Sequence, residues 1–300
     1  MQYRSDGTSM KPAPFDYHAP QSLEEAAALL TELGDGAKLL GGGQSLIPML
    51  ALRLTVFDHL VDLGRIAELR GIERRNGSLW IGAGTTEAAV GRSPEVAAGA
   101  PLLARATPLI GHFQIRNRGT IGGSIAHADP SAEYPAVALA LDAQLEAFSS
   151  RGPRTIPAAQ FFTGLWSTEL ADDEILTAIS FPVWSGRCGF AVEEIARRHG
   201  DFAIAGAVVG LELDGDDRIR HCAIGLIGLG STPERARTAE AEVVGKALVD
   251  IDPADVGHQA VSALDAIPAD LHGSSEYRTR VGAVMVERAW RSASEEARSG

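Results

Sequence analysis

Apolar and polar residues near the start of the chain recur with the spacing of an amphipathic helix. Apolar side chains in Ser22–Leu33 return every three or four positions, which predicts a helix over this segment. Ser22 followed by Glu25 has the pattern of a capping box, and Gly34 has the freedom that a helix C-terminus needs. The helix is therefore expected to end before Gly34.

A run of three glycines separates the next two predicted elements. The short apolar run Lys38–Leu40 predicts a strand, Gly41–Gly43 follow it, and Ser45 suits the N-cap of a helix over Leu46–Leu54. A second strand is predicted at Asp58–Leu63, which makes this part a small α/β unit. Glycines between a strand and a helix let the backbone approach a ligand and present free N–H groups, which is typical of a phosphate or pyrophosphate site.

The same residues exclude two common nucleotide-binding loops. No Gly-Lys-Ser/Thr follows the glycines, so the lysine of a P-loop is missing. The G-x-G-x-x-G pattern of the Rossmann dinucleotide fold is also missing here.

Turn signals between apolar runs dominate the middle of the chain. Asn76-Gly77 and Arg151-Gly152 each predict a β-hairpin. The predicted strands are Leu69–Arg75, Ser78–Ala83, Gln144–Ser150, Pro153–Ala158 and Asp173–Pro182, and the predicted helices are Glu87–Val90, Pro101–Ile110 and Asp129–Leu141, the last with Asp129 as N-cap and Pro130 at its first position.

A second glycine-rich stretch, Thr120-Ile121-Gly122-Gly123-Ser124, follows Arg116 and Arg118 and leads to a predicted helix start. It could hold the other side of a pyrophosphate through its backbone. The alternative is an ordinary glycine turn beside two solvated arginines. Two such stretches in one chain favour a shared ligand.

The last third of the chain is predicted to be a separate α+β unit, because the pattern breaks near Val183–Gly189. The predicted strands are Phe190–Ile195, Phe202–Leu213 and Arg218–Leu229, and the predicted helices are Ser231–Leu248, Asp252–Ile267 and Glu276–Arg291, followed by a polar tail.

Composition narrows the classes of partner. The 300 residues include 27 Lys and Arg against 39 Asp and Glu, and the net charge of -12 argues against nucleic acid or an anionic membrane as a partner. With only Cys188 and Cys222, the chain is expected to hold neither a metal cluster nor a disulfide framework. No apolar run reaches the length of a membrane span, and the polar segment Met1–Met10 is not expected to be a signal peptide.

No pattern predicts a catalytic nucleophile or an acid–base pair. G-x-S-x-G and H-E-x-x-H are absent, and His112 and His127 have no third ligand at metal spacing, so no metal site is predicted. The positive signals all concern a phosphorylated ligand. They suit a cofactor whose own ring performs the chemistry.

Several motifs together resemble the FAD-binding medium subunit of molybdenum hydroxylases, of the carbon monoxide dehydrogenase medium-chain type. These motifs are Leu40-Gly41-Gly42-Gly43-Gln44-Ser45-Leu46-Ile47-Pro48, Val61-Asp62-Leu63, the stretch from Gln114 to Ser124, Ala126-His127-Ala128-Asp129-Pro130, and Arg197-Arg198-His199-Gly200-Asp201-Phe202-Ala203. They occur in the expected order, and the resemblance extends from Pro14 to Arg288.

The resemblance implies an α+β fold with two domains. An FAD-binding domain at residues 11–186, of the type found in vanillyl-alcohol oxidase, is implied to contain subdomains at 11–65 and 66–186. A C-terminal domain of the CO dehydrogenase flavoprotein type is implied at 187–296, with a small antiparallel sheet and helices.

The resemblance also implies which residues bind FAD. Both glycine stretches would wrap its pyrophosphate, Glu133 would contact the ribityl or ribose region, and Leu176 and Ile110 would contact the flavin ring. The implied cofactor contacts are Leu40, Gly41, Gly42, Gly43, Gln44, Ser45, Leu46, Ile110, Thr120, Ile121, Gly122, Gly123, Ser124, Asp129, Glu133 and Leu176. Xanthine dehydrogenase relatives place a lysine near the flavin where this chain has Glu193, so that lysine is not carried over.

By this resemblance the chain is the electron-transfer subunit of a cytoplasmic heteromeric enzyme. A small subunit with two [2Fe-2S] clusters would pass electrons to FAD, a large subunit with a molybdenum-pterin cofactor would oxidise the substrate, and quinone, NAD or oxygen would accept the electrons. A dimer of heterotrimers, a heterohexamer, is implied. Two alternatives stay open: a stand-alone FAD-dependent oxidoreductase with its own small-molecule substrate, and a nucleotide-binding partner without catalysis.

Overall fold

The computed structural model describes residues 11–300. The expectation that Met1–Met10 is not a signal peptide therefore lies outside the described residues. No helix among those described is long and apolar enough to cross a membrane.

The first part of the chain is a three-stranded parallel sheet with two short helices. Its elements are β1 (Asp16–His18), α1 (Leu23–Leu33), β2 (Ala37–Leu40), α2 (Leu46–Ala51) and β3 (His59–Asp62). The strand order is β1-β3-β2, so the carboxyl ends of all three strands lie at the same edge. The predicted cap of α1 is confirmed, because the Ser22 hydroxyl accepts a hydrogen bond from the Glu25 amide at 3.1 Å.

Helix α2 differs from its prediction at both ends. Ser45 is the N-cap residue as predicted, but its backbone is already helical and its side chain makes no capping hydrogen bond. The helix ends at Ala51 rather than Leu54 because Arg53 takes the left-handed conformation with φ 55°. The amide of Leu54 then reaches back to the Met49 carbonyl at 3.0 Å, as in a Schellman motif.

The second part packs seven helices around a five-stranded antiparallel sheet, with the order β4-β5-β10-β6-β7. Its elements are β4 (Ile72–Arg75), β5 (Ser78–Gly82), α3 (Glu87–Arg92), α4 (Pro94–Gly99), α5 (Pro101–Ala106), α6 (Phe113–Arg116), α7 (Ile121–His127), α8 (Glu133–Ala140), β6 (Gln144–Ser149), β7 (Gly152–Pro157), α9 (Ala158–Phe161), β8 (Phe162–Gly164), β9 (Ser167–Thr168) and β10 (Ile175–Pro182). Both predicted hairpins are confirmed, since β4 pairs with β5 and β6 pairs with β7.

Helix α8 begins later than predicted. Asp129 does not cap it, because the Asp129 carboxylate accepts from the Ser131 amide at 2.8 Å and the N-cap is Ala132. The Pro130 carbonyl accepts a hydrogen bond from the Gly228 amide at 2.8 Å. This contact from the last third of the chain holds the segment before α8 out of the helix.

The last third forms a four-stranded antiparallel sheet, β11-β12-β13-β14, covered by helices. Its elements are β11 (Arg187–Ile195), β12 (Ala205–Leu213), β13 (Ile219–Ile227), β14 (Glu234–Arg235), α10 (Arg237–Val243), α11 (Pro253–Ser262) and α12 (Ser275–Ser299). The prediction of a helix from Ser231 is wrong, because Glu234 and Arg235 pair with β13 instead. The predicted polar tail is helical through Ser299, since Ala293 and Ala297 continue the buried face of α12.

The carboxylate of Glu296, on the last helix, contacts residues of the second part and of the last third of the chain. Glu296 on α12 receives two hydrogen bonds from Arg105 on α5, at 2.7 and 2.5 Å, and one from the Phe190 amide at 2.8 Å. Arg105 also donates to the Phe190 carbonyl. Bidentate bonds of this kind fix geometry as well as contributing energy.

We expect Glu296→Gln to lower the free energy of unfolding by about 1–2 kcal/mol, because the isosteric amide keeps only part of these charge-assisted bonds. Urea unfolding measures the change. The exposed neighbour Glu295→Gln is the matched control and should shift the transition little. Equal shifts for the two variants would show that Glu296 does not fasten α12.

Candidate functional site

A groove of about 490 Å³ lies at the carboxyl edge of the parallel sheet. Ligands of α/β sheets commonly bind at this edge. The groove is lined by Tyr17, Leu40, Gly41, Gly42, Gly43, Gln44, Ile47, Pro48, Asp62 and Arg118. The first glycine stretch therefore forms its floor, as far as Gln44.

The backbone of this glycine stretch presents unused donors. Within residues 11–300, the amides of Gly42 through Leu46 donate to no protein acceptor. Gly43 has φ 74°, a conformation that other residues adopt only with strain, and it turns the backbone before α2. Successive free amides in such a turn form a concave site for an anion.

The structure brings the two glycine stretches into direct contact. A Cβ atom on Gly42 would run into the Arg118 carbonyl and lie 2.6 Å from the Gly119 Cα atom. A Cβ atom on Gly41 would lie 3.2 Å from the Thr120 hydroxyl. Only glycine at Gly42 permits this approach, which brings the Arg118 backbone to the groove.

The second stretch plays a different local role from the first. Thr120 caps α7, and its hydroxyl accepts a hydrogen bond from the Gly123 amide at 3.1 Å. The amides of Ile121 and Gly122 donate to the carbonyls of Thr85 and Ala83 at 3.0 and 2.9 Å. These three amides are used within the protein, so this stretch positions the Arg118–Thr120 backbone against the groove.

The remaining predicted contacts are not among the residues that line the groove. Ser45 and Leu46 lie at the start of α2, next to Gln44, and Ser124 lies in α7. Ile110 is half-buried, and its carbonyl accepts from Arg116 at 2.7 Å. Leu176 is in the core, 5% exposed, on β10. Contacts of these residues with a cofactor stay predictions.

Glu133 and Asp129 belong to a group of acids at the start of α8. Burial, with the nearby carboxylates of Glu194, Glu87 and Asp129, raises the pKa of Glu133 to about 8. Burial also raises the pKa values of Glu87 and Glu194 to about 7. Glu133 is therefore largely protonated at neutral pH, and at that site a hydroxyl donor is available.

Sequence reasoning assigns no ligand contact to four residues of the groove, which are Tyr17, Ile47, Pro48 and Asp62. Tyr17 lies on β1, a three-residue strand that no periodic pattern indicates. The sequence leaves open whether Arg118 lies beside an anion site or is a solvated surface arginine. In the structure Arg118 is an exposed residue that lines the groove.

Comparison with known proteins identifies the class to which this site belongs. Residues 13–184 match the family described as "FAD binding domain in molybdopterin dehydrogenase", and residues 190–293 match the "CO dehydrogenase flavoprotein C-terminal domain". The chain belongs to this family of FAD-binding dehydrogenase subunits, and FAD is its cofactor.

Within the family the chain is similar to carbon monoxide dehydrogenase medium chains. It is 40% identical to that of Hydrogenophaga pseudoflava over 280 residues, which cover 93% of this chain and 97% of the relative. It is also 40% identical over 279 residues to the 6-hydroxypseudooxynicotine dehydrogenase complex subunit alpha of Paenarthrobacter nicotinovorans, with 93% and 94% covered. The solved structure of Hydrogenophaga pseudoflava carbon monoxide dehydrogenase that lacks the Mo-pyranopterin moiety matches with a TM-score of 0.90 and 41% identity, covering 95% of this chain and 99% of that one.

The predicted family and fold class are thereby confirmed. The residues present also fit the cofactor. FAD carries a diphosphate, and the free amides of Gly42–Leu46 with the nearby Arg118 offer donors and a positive charge for it.

Proposed function

We propose that this chain carries FAD as the electron-transfer subunit of a heteromeric molybdenum hydroxylase. The observation that supports it most is the contact of two distant backbone segments, Gly41–Leu46 and Arg118–Thr120, at one groove. FAD bound there supplies the redox chemistry, because it can take up single electrons and pass on one or two.

The residues of the chain would have distinct parts in holding the cofactor. The amides of Gly42–Leu46 would donate to the diphosphate, and Arg118 would offset its negative charge. Thr120–Ser124 would keep the second backbone segment in place, and Ile110 and Leu176 would give apolar contacts to the flavin ring. The protonated carboxyl of Glu133 would offer a hydrogen-bond donor to the ribityl or ribose region.

The partners belong to the same proposal. A small subunit with two [2Fe-2S] clusters would reduce FAD, and a large subunit with a molybdenum-pterin cofactor would oxidise the substrate. Quinone, NAD or oxygen would receive the electrons, and a cytoplasmic dimer of heterotrimers would be the assembly. Two relatives are each 40% identical to this chain, yet one is named as a carbon monoxide dehydrogenase chain and the other as a 6-hydroxypseudooxynicotine dehydrogenase subunit. This supports a substrate site on another subunit.

The domain limits are also proposed, at 11–65 and 66–186 for the two FAD subdomains and 187–296 for the C-terminal domain. The family matches at 13–184 and 190–293 support a boundary between residues 184 and 190. Sheet β11–β14 lies wholly after that boundary.

The test is anaerobic reduction of the FAD-loaded chain, followed by flavin absorbance. We expect a reduced [2Fe-2S] protein to bleach the flavin, and we expect organic substrates of molybdenum hydroxylases, such as aldehydes and N-heterocycles, to leave it oxidised. Bleaching by an organic substrate with the single chain alone would contradict the proposal and favour a stand-alone oxidoreductase.

A further inference from the structure

A buried carboxyl packs directly against the second backbone segment of the groove. Glu87, the first residue of α3, is 4% exposed. A Cβ atom on Gly119 would lie 2.6 Å from one carboxyl oxygen of Glu87 and 2.7 Å from the other. The Glu87 amide also donates a hydrogen bond to the Gly119 carbonyl at 2.9 Å. The missing side chain at Gly119 therefore makes room for the carboxyl of Glu87.

The same glycine also meets the first glycine stretch. The Gly119 Cα atom lies 2.6 Å from the position that a Cβ atom on Gly42 would take, and Gly42 lines the groove. A β-bridge between Thr86 and Thr120 continues the contact between the start of α3 and this segment. A single residue of backbone thus separates the carboxyl of Glu87 from the floor of the groove.

The carboxyl of Glu87 is poorly compensated for a negative charge. Its Oε2 atom is buried and has no hydrogen-bond partner in the described part of the chain. The charged and titratable groups that face it are Arg116 on α6 and Glu133 and Tyr134 on α8, with Glu194 on β11 facing Glu133 in turn. Arg116 favours the ionised carboxyl but already donates to three backbone carbonyls. Burial has the larger effect and raises the pKa of Glu87 to about 7.

The charge at this position therefore changes close to neutral pH. Below that pH Glu87 is neutral, and above it a carboxylate lies behind the backbone that borders the groove. The diphosphate of FAD is negatively charged and does not itself titrate near neutral pH. Because the carboxyl is buried, solvent and salt screen its repulsion of a nearby anion only weakly.

We propose that Glu87 makes cofactor binding proton-dependent: the chain holds FAD with Glu87 protonated, and binding takes up a proton from solvent where the carboxyl would otherwise be ionised. This inference rests on the proposed function, because it requires the diphosphate to lie on the glycine stretches. Glu87 acts on the cofactor through its charge and does not line the groove. The fold would then retain FAD less tightly at alkaline pH.

The test is calorimetric titration of the flavin-free full chain with FAD between about pH 6 and about pH 9, in two buffers with different heats of ionisation. The background variant is Glu133→Gln, because Glu133 is itself proposed to contact the cofactor and glutamine keeps a donor there. We expect affinity to fall about tenfold across this range, with about half a proton taken up per FAD near pH 7.5. Adding Glu87→Gln should abolish both the fall and the uptake, since the isosteric amide cannot ionise.

Glu194→Gln in the same background is the matched control. Burial also raises the pKa of Glu194 to about 7 and leaves one of its oxygens without a partner, but it lies on β11 and is not among the atoms that meet Gly119. This variant should keep both the fall and the uptake.

Two results would overturn the inference. One is FAD binding without net proton uptake near about pH 7.5 in the Glu133→Gln chain, a measurement that needs no change at Glu87. The other is equal flattening by Glu87→Gln and Glu194→Gln, which would show that contact with Gly119 does not matter. A chain that binds no FAD at any pH would instead overturn the proposed function.

Discussion

Replacing Gly42 with valine is expected to give a folded chain that no longer retains FAD. A side chain at this position would run into the Arg118 carbonyl and force the two backbone segments apart. The amides of Gly42–Leu46 and the residue Arg118 on the other segment would then no longer line a common diphosphate site. Because charge-assisted hydrogen bonds contribute about 1.5–3 kcal/mol each, losing even one lowers affinity about tenfold or more.

The measurement is flavin content per chain after purification, with circular dichroism to verify folding. Gly215→Val is the matched control, since no atom lies within 4 Å of a Cβ atom there. Full flavin content in Gly42→Val would show that the contact of the two segments is not needed for binding. Gly43→Val is also expected to lose FAD, because of the positive φ at that position.

Gly122→Val is a poor test of the site. A Cβ atom on Gly122 would overlap the Cβ atom of Ala83, which is 5% exposed in the core. The expected result is lower stability of the second part of the chain, and any loss of FAD would follow from that.

Replacing Glu133 with glutamine is expected to make the flavin-free protein less sensitive to alkaline pH. In the folded chain burial raises the pKa of Glu133 to about 8, above the ordinary value of 4.5 for a glutamate. Between these two values the unfolded chain releases a proton that the folded chain keeps, so the unfolded state binds fewer protons and stability falls as pH rises. Glutamine cannot ionise, and the variant should gain roughly 2–4 kcal/mol over the unaltered protein between pH 5 and pH 8.

Thermal unfolding of the flavin-free chain across this pH range measures the effect. Glu68→Gln, at an exposed position, is the control and should follow the unaltered protein. If Glu133→Gln gives a stability curve parallel to that of the unaltered protein, the carboxyl of Glu133 is ionised in the folded chain.

Turns and helix caps are predicted correctly where the hydrogen bonds that form them join residues close together in the sequence. Asn76-Gly77 fixes its hairpin and Ser22 caps its helix, because the turn and the cap are formed within a few residues. The Asp252-Pro253 start of α11 is confirmed for the same reason, with the Asp252 side chain accepting from the Ala254 amide.

The wrong predictions arise where a contact with a distant segment determines the local backbone conformation. Asp129-Pro130 has the pattern of a helix start, but Pro130 lies in a turn before α8, and its carbonyl accepts a hydrogen bond from the Gly228 amide. Ser231 and Pro233 have the same pattern, but Glu234 and Arg235 pair with β13. Contacts across such separations leave no periodic signal in a single sequence.

Part of the site can be predicted because its glycines are local signals in the sequence. The resemblance of the motifs that contain them assigns both stretches to one ligand. Their different roles are not visible in the sequence, because the amides of Ile121 and Gly122 donate to the carbonyls of Thr85 and Ala83, which lie 36 and 39 residues earlier. Tyr17 was missed because its strand has only three residues.

The most direct test of the central claim, that two distant backbone segments form one FAD diphosphate site, is the stoichiometry of flavin in the purified chain. Acid denaturation and absorbance of the released flavin are expected to give one FAD per chain, and FAD added to the flavin-free chain is expected to raise its melting temperature. A colourless chain whose melting temperature does not change with added FAD would contradict the claim.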